Sequence, residues 1–188
     1  MSNLKSTLRK TLLSLRDALP VDVRSAQSQR IAESLLALPE FVAASIIHSY
    51  LSFGSEVDTE FIRIVAFRQG KQVSVPITDK SNPTLLHSFI EDTEEFTFGD
   101  WNILVPKEPI IESNFRTSEH DIILVPLVGF DRNKHRLGYG KGYYDRFLSK
   151  QDAIKIGLAF SCQETELIPT EPHDQALTMI ITEREIIR

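Results

Sequence analysis

The chain holds one cysteine, Cys162, so it cannot close an internal disulfide and gives no sign of an oxidising compartment. It has no apolar run approaching the roughly 18 residues that a membrane span requires. Its first residues, Met1-Ser2-Asn3-Leu4-Lys5, enter a charged amphipathic stretch and not an uncharged apolar segment with a small-residue cleavage site. A soluble cytoplasmic protein without a membrane partner is expected. Basic residues are in deficit, 21 Lys and Arg against 26 Asp and Glu, for a net charge of -5. A nucleic-acid partner is disfavoured, because neutralising many phosphates needs an excess of Lys and Arg. A single nucleotide needs only a local cluster. No internal repeat, low-complexity tract or linker divides the chain. With 188 residues, 41% hydrophobic and 25% charged, it suits one globular domain over 1–188 with its own core.

Periodicity places the elements. Leu4, Leu8, Leu12, Leu15 and Leu19 fall on one stripe of a helix over 4–19, with Lys5, Arg9 and Arg16 on the strip beside it, and Pro20 ends it. A second helix is expected from Asp22, a good N-cap, to about residue 37. The period then changes to short strands at 45–51, 72–76, 85–90, 121–128, 154–160 and 179–182. A helix capped by Thr59 and closed by Gly70 sits among them, as does another over 143–148. The acidic stretch 91–95 and the segment around Trp101 and Pro106 read as loops. The run Asp121-Ile122-Ile123-Leu124-Val125-Pro126-Leu127-Val128 is apolar on both faces, as a central parallel strand should be. Strands alternating with helices predict an α/β fold: one open, mostly parallel sheet with helices on both faces, Rossmann-like and three-layered.

The chemistry concentrates just after that run. Gly138, Gly140 and Gly142 alternate between a strand and a helix, where they let a backbone approach a ligand and turn its N–H groups inward. Ligands of open α/β sheets bind at this end of the strands. The helix start favours phosphate, Arg136 and Lys141 add full charges, and Asp145 can reach Mg²⁺ held against phosphate oxygens. The spacing matches neither the P-loop nor the dinucleotide fingerprint. By itself it fits a flexible glycine turn as well as a phosphate cradle.

The longer string Arg136-Leu137-Gly138-Tyr139-Gly140-Lys141-Gly142-Tyr143-Tyr144-Asp145 resembles the 5-formyltetrahydrofolate cyclo-ligase family, also called 5,10-methenyltetrahydrofolate synthetases. The preceding run from Leu124 to Asp131 is also similar. So are Lys5 and Arg9, the segment from Tyr50 to Thr59, and Asp174 within His173-Asp174-Gln175-Ala176-Leu177. The resemblance thus spans most of the chain. There are two departures. Lys134 stands where the family commonly has glycine; if the position needs positive φ, lysine is costly there and the turn would be shaped differently. Tyr139 stands where some members carry arginine.

The resemblance implies ATP- and Mg²⁺-dependent cyclisation of 5-formyltetrahydrofolate to 5,10-methenyltetrahydrofolate through a phosphorylated formyl group. It implies that Lys5, Arg9 and the run Arg136, Leu137, Gly138, Tyr139, Gly140, Lys141, Gly142, Tyr143 and Tyr144 line the ATP site. Leu51, Glu56 and the loop from Tyr139 to Tyr143 would border the folate, and Asp145 and Asp174 would hold Mg²⁺. Lys141 and Arg136 would stabilise the transferred charge. A monomer or weak homodimer is expected.

The residues alone leave blander readings open. Lys5 and Arg9, four apart, share a helix face and could grip one polyphosphate or form a solvated basic strip. Trp101, Tyr143 and Tyr144 could stack a ring, although a lone tryptophan more often packs in a core. His48, His87, His120, His135 and His173 show no ligand spacing, and zinc is not expected. The anion cradle would also serve an isomerase or transferase acting on a phosphorylated small molecule, or a nucleotide- and folate-binding protein without turnover.

Overall fold

A computed structural model of the chain describes residues 2–81, 84–112 and 114–188. Three helices come first: α1 (Ser2–Asp17), α2 (Val21–Leu36) and α3 (Pro39–Ala43). Then follow β1 (Ile46–His48), α4 (Glu60–Arg68), β2 (Gln72–Ile77) and β3 (Leu86–Ile90). The hairpin β4 (Phe96–Phe98) and β5 (Leu104–Pro106) precedes β6 (Ile122–Pro126) and the ribbon β7 (Gly129–Phe130) and β8 (Arg136–Leu137). Helix α5 (Tyr143–Leu148), β9 (Ile154–Leu158), β10 (Met179–Ile181) and β11 (Ile186–Ile187) complete the chain.

Seven strands form one sheet in the order β11-β10-β9-β6-β1-β2-β3. The five inner strands are parallel, and only β3 and β11 run antiparallel at the edges. Central β6 explains the layering. Ile122 and Leu124 point into the core under α2, α3 and α4, with Ile31, Leu35, Phe41 and Ile62. Ile123 and Val125 point the other way, against Phe147 and Leu148 of α5 and Phe115. All four β6 side chains are fully buried, each contributing roughly 1.5–3 kcal/mol. The expected three-layer, mostly parallel α/β architecture is observed.

The chain leaves β1 through α4 on one face and leaves β6 through α5 on the other. Strand order therefore reverses between β1 and β6. A crevice opens outside the carboxyl ends of such strands, and the segments after β1 and β6 face each other across it.

Local details correct several expectations. Helix α2 starts at Val21 with Pro20 in the N-cap position, and Asp22 lies within the first turn. Pro20 suits that place because its fixed φ leads into a helix and its missing N–H would have no partner there. Thr59 occupies the N-cap of α4, but its hydroxyl donates to the Tyr50 carbonyl, and Asp58 accepts the Glu60 N–H instead. Segments expected to be loops hold the β4–β5 hairpin. In α1 and the residues just after it, the inner face combines part of the leucine stripe, Leu8, Leu12 and Leu19, with the basic strip. Leu4 and Leu15 are exposed, while Leu12 and Arg16 are buried and Lys5, Leu8 and Arg9 are partly covered. The basic strip therefore faces the body of the protein. Among the described residues, no helix is long and apolar enough to cross a membrane.

Candidate active site

A cavity of about 820 Å³ occupies the crevice, and all fifteen residues singled out from the sequence line it. Its walls include α1, the loop after β1, the glycine loop before α5 and the segment before β10, with the end of β2 and the β4–β5 hairpin completing them.

The glycine loop hangs from the β7–β8 ribbon. Asp131, fully buried, anchors the turn. Its carboxylate accepts the N–H groups of Asn133, His135 and Ile168 and pairs with the His135 ring at 3.0 Å. Burial opposes ionisation there, but these donors outweigh it and hold the carboxyl below its usual range. Lys134 adopts φ 66° within this turn. The position does take a left-handed backbone, which is costly for lysine. Gly140 and Gly142 follow at φ 91° and 69°. The positive φ at Gly140 favours glycine, and a Cβ there would lie 3.2 Å from the Arg9 guanidinium, closer than an ordinary contact. Arg9 in turn donates from Nε to the Gly138 carbonyl at 2.7 Å. Helix α5 has six residues and adds little dipole, so the positive charge of the cradle comes from side chains.

Two carboxylates face these cations. Asp145 Oδ1 lies 2.5 Å from Arg136 Nη2, and the other arm of Arg136 donates to the Gln175 carbonyl. Asp174 accepts Lys5 Nζ at 2.7 Å and the Glu171 N–H at 2.8 Å. Burial opposes charge on Asp174, yet Lys5 and that N–H keep its carboxyl below the ordinary range. Burial likewise works against the Lys5 ammonium, and Asp174 and Glu171 raise it instead. Ligand atoms of Glu171, His173 and Asp174 lie within 4.8 Å of one another. Glu171 and His173 were not anticipated. Both stand within three positions of Asp174, in the run Glu171-Pro172-His173-Asp174, so the signal was local and open to sequence reading.

This donor set suits a hard cation, because Mg²⁺ prefers carboxylate oxygens and phosphate. Lys5, Arg9 and Lys141 suit a polyphosphate, and the close approach at Gly140 suits a bound anion. The residues present therefore fit both groups.

The opposite wall is aromatic and acidic. Glu56 accepts the Phe53 N–H at 2.9 Å and the Tyr139 hydroxyl at 2.8 Å. Burial raises its pKa, against those two donors and the nearby Arg16. Trp101, at the tip of the β4–β5 hairpin with φ 54°, is 39% exposed, so it is not a core residue. Its ring lies 6.1 Å from that of Tyr143, edge-on. The Tyr144 hydroxyl and Thr78 Oγ1 are buried without partners, and both residues line the cavity. Burial pushes the Tyr144 phenol well up, so it stays neutral.

An open, mostly parallel sheet with a cation-rich glycine loop at its switch point defines an α/β protein with a small-molecule site. The sequence profile of the 5-formyltetrahydrofolate cyclo-ligase family matches residues 1–183. A probable 5-formyltetrahydrofolate cyclo-ligase of Schizosaccharomyces pombe is 30% identical, over 100% of this chain and 99% of its own. The 5-formyltetrahydrofolate cyclo-ligase of Escherichia coli K12 is 30% identical, over 91% and 96%. The solution structure of Aquifex aeolicus 5,10-methenyltetrahydrofolate synthetase superposes with a TM-score of 0.83 at 30% identity, covering 98% of this chain and 92% of that one. The chain belongs to the 5-formyltetrahydrofolate cyclo-ligase family.

Proposed function

We propose that the protein converts 5-formyltetrahydrofolate to 5,10-methenyltetrahydrofolate in an ATP- and Mg²⁺-dependent reaction that releases ADP and phosphate. The observation that carries this reading is the convergence of α1, the loop after β1, the glycine loop and Asp174 on one cavity. Its volume lies in the range of small-molecule sites.

A formamide carbonyl is a poor electrophile because its nitrogen donates into it. Activation requires converting the formyl oxygen into a leaving group. That oxygen attacks the γ-phosphorus, an O–P bond forms, and the bond to the β-phosphate oxygen breaks with loss of ADP. The neighbouring folate amine then attacks the formyl carbon, the C–O bond to phosphate breaks, and the amine proton is lost as the five-membered ring closes. The protein positions the groups and neutralises charge, and no covalent enzyme intermediate is needed.

Lys5 and Arg9, side by side on α1, hold the polyphosphate with the backbone of the glycine loop. Lys141, exposed in that loop, meets the transferred group and offsets its developing charge. Arg136 backs Asp145 and keeps its carboxylate aimed into the cavity. Asp174, with Glu171 beside it, and Asp145 would hold Mg²⁺, which supplies charge neutralisation on phosphate oxygens. Leu51, Glu56 and the loop from Tyr139 to Tyr143 border the pterin, with Glu56 accepting from its N–H groups.

Purified protein given Mg·ATP and 5-formyltetrahydrofolate should release ADP and generate the methenyl chromophore in equal amounts. Folded protein that binds both substrates and yields neither product overturns the proposal.

A further inference from the structure

Arg16 is the one residue of the basic strip on α1 that does not reach the cavity wall, and it is 3% exposed. A buried guanidinium is costly unless compensated. Arg16 makes no direct ion pair among the described residues. Its compensation runs through two hydroxyls. Nη2 donates to the Tyr139 hydroxyl at 2.9 Å, and that hydroxyl donates to Glu56 Oε1 at 2.8 Å. Nε donates to Ser55 Oγ at 2.9 Å, and that hydroxyl donates to Asp17. Nη1 reaches the Leu127 carbonyl at 3.3 Å, just beyond the end of β6.

Both relays run in the same sense, from guanidinium N–H to hydroxyl oxygen and from hydroxyl proton to carboxylate. Each donor strengthens the next, as in other polarised hydrogen-bond chains. The Tyr139 hydroxyl has one proton to give, and Arg16 leaves it no better acceptor than Glu56. The guanidinium also lies 5.9 Å from the centre of the Tyr139 ring, which fixes the ring as well as its hydroxyl. The relay exists because position 139 is tyrosine, which can both accept from a cation and donate to a carboxylate.

Building on the proposed function, we infer that Arg16 is a positioning residue that acts through Tyr139 to orient Glu56 for the folate. It touches neither substrate. It sets the direction of the Glu56 carboxylate and favours its anion in a setting where burial favours the neutral acid. The nucleotide side of the cavity does not depend on it.

The test uses the full chain and the variants Tyr139→Phe, Arg16→Gln and the double variant. Folate affinity is measured by equilibrium binding of 5-formyltetrahydrofolate without ATP. The Michaelis constants of folate and ATP and the pH profile of kcat/KM for folate are measured alongside. Tyr139→Phe keeps the ring and removes the relay, so folate binding should weaken about tenfold. The Michaelis constant for ATP should change less than about threefold, and the acidic limb of the profile should move to higher pH as Glu56 becomes easier to protonate. The double variant should bind folate no worse than the weaker single variant, because both changes cut the same chain. Should Arg16→Gln fail to fold, Tyr139→Phe decides alone. Wild-type folate affinity and an unmoved acidic limb in Tyr139→Phe overturn the relay, as do equal losses for both substrates. Wild-type protein that binds folate without turnover overturns the proposed reaction and leaves the relay to the binding data. Wild-type protein that binds no folate overturns both.

Discussion

The ammonium of Lys5 and the carboxylate of Asp174 lie 2.7 Å apart, although 169 positions separate them in the chain. The contact joins the first helix to the segment before β10, and it closes one side of the cavity. It also places a cation on a carboxylate suited to Mg²⁺. A metal bound there would compete with Lys5 for that carboxylate.

Asp174→Asn should raise the Mg²⁺ concentration for half-maximal turnover by at least about tenfold, as expected for losing one carboxylate partner of a metal. Chelation of Mg²⁺ should abolish turnover in the unaltered protein. Mg²⁺ should raise the melting temperature of the unaltered protein with ATP, and should do so less in Asp174→Asn. An unchanged Mg²⁺ requirement would remove Asp174 from the metal site.

Lys141→Ala should lower turnover by at least about tenfold, since a lost contact to developing charge typically costs ~2 kcal/mol or more. Substrate binding should change less than turnover. Single-turnover ADP release checks this directly, and an unaltered rate would leave Lys141 no part in the chemistry.

Gly140→Ala should raise the Michaelis constant for ATP several-fold and lower the melting temperature. The residue sits at φ 91°, and the added methyl would crowd the Arg9 guanidinium at 3.2 Å. Left-handed backbone costs an L-residue roughly 1–2 kcal/mol before any contact is counted. ATP kinetics matching the unaltered protein would show that the loop relaxes without moving Arg9.

Stability should fall between pH 6.5 and about 4. His48 Nε2 and His87 Nδ1 share a hydrogen bond at 2.9 Å beneath α5, packed against Phe115 and Phe147. Burial pushes His87 down from 6.5 to about 4, and burial with His87 beside it pushes His48 well below its usual range. Both are therefore neutral in the folded protein across an interval where the unfolded chain takes up protons. Their contribution is fully present above pH 6.5 and declines as pH drops through that interval, by roughly 3 kcal/mol for His87. Urea midpoints at pH 7 and 4.5 measure the decline, and His87→Gln should flatten it. A midpoint that does not move over this interval would contradict the neutral pair.

The sequence made the central sheet and the glycine loop legible because both are local patterns. Ile122 to Val125 is apolar on two faces, and the alternating glycines sit inside the longer run from Arg136 to Asp145 that carries the family resemblance. It hid what depends on distant partners. The leucine spacing of α1 suggested an apolar inner face, but Lys5, Arg9 and Arg16 turn inward because their acceptors lie over a hundred residues away. Trp101 resembled core packing, yet a left-handed turn carries it to the cavity rim. Strands β7, β8 and β11 hold two residues each, too few for any period to show. The histidine pair was invisible because His48 and His87 occupy strands that are not neighbours in the sheet and lean together across β2.

The pairing of Lys5 with Asp174 bears on how the protein is made. During synthesis the first helix leaves the ribosome long before its acidic partners, so its cations wait without them while the sheet assembles. A nascent chain halted before Asp174 would already hold the glycine loop, but not the carboxylate that closes this side of the cavity. Ligand binding should thus arrive late and abruptly as the chain lengthens, at the point where its last strands slot beside β9.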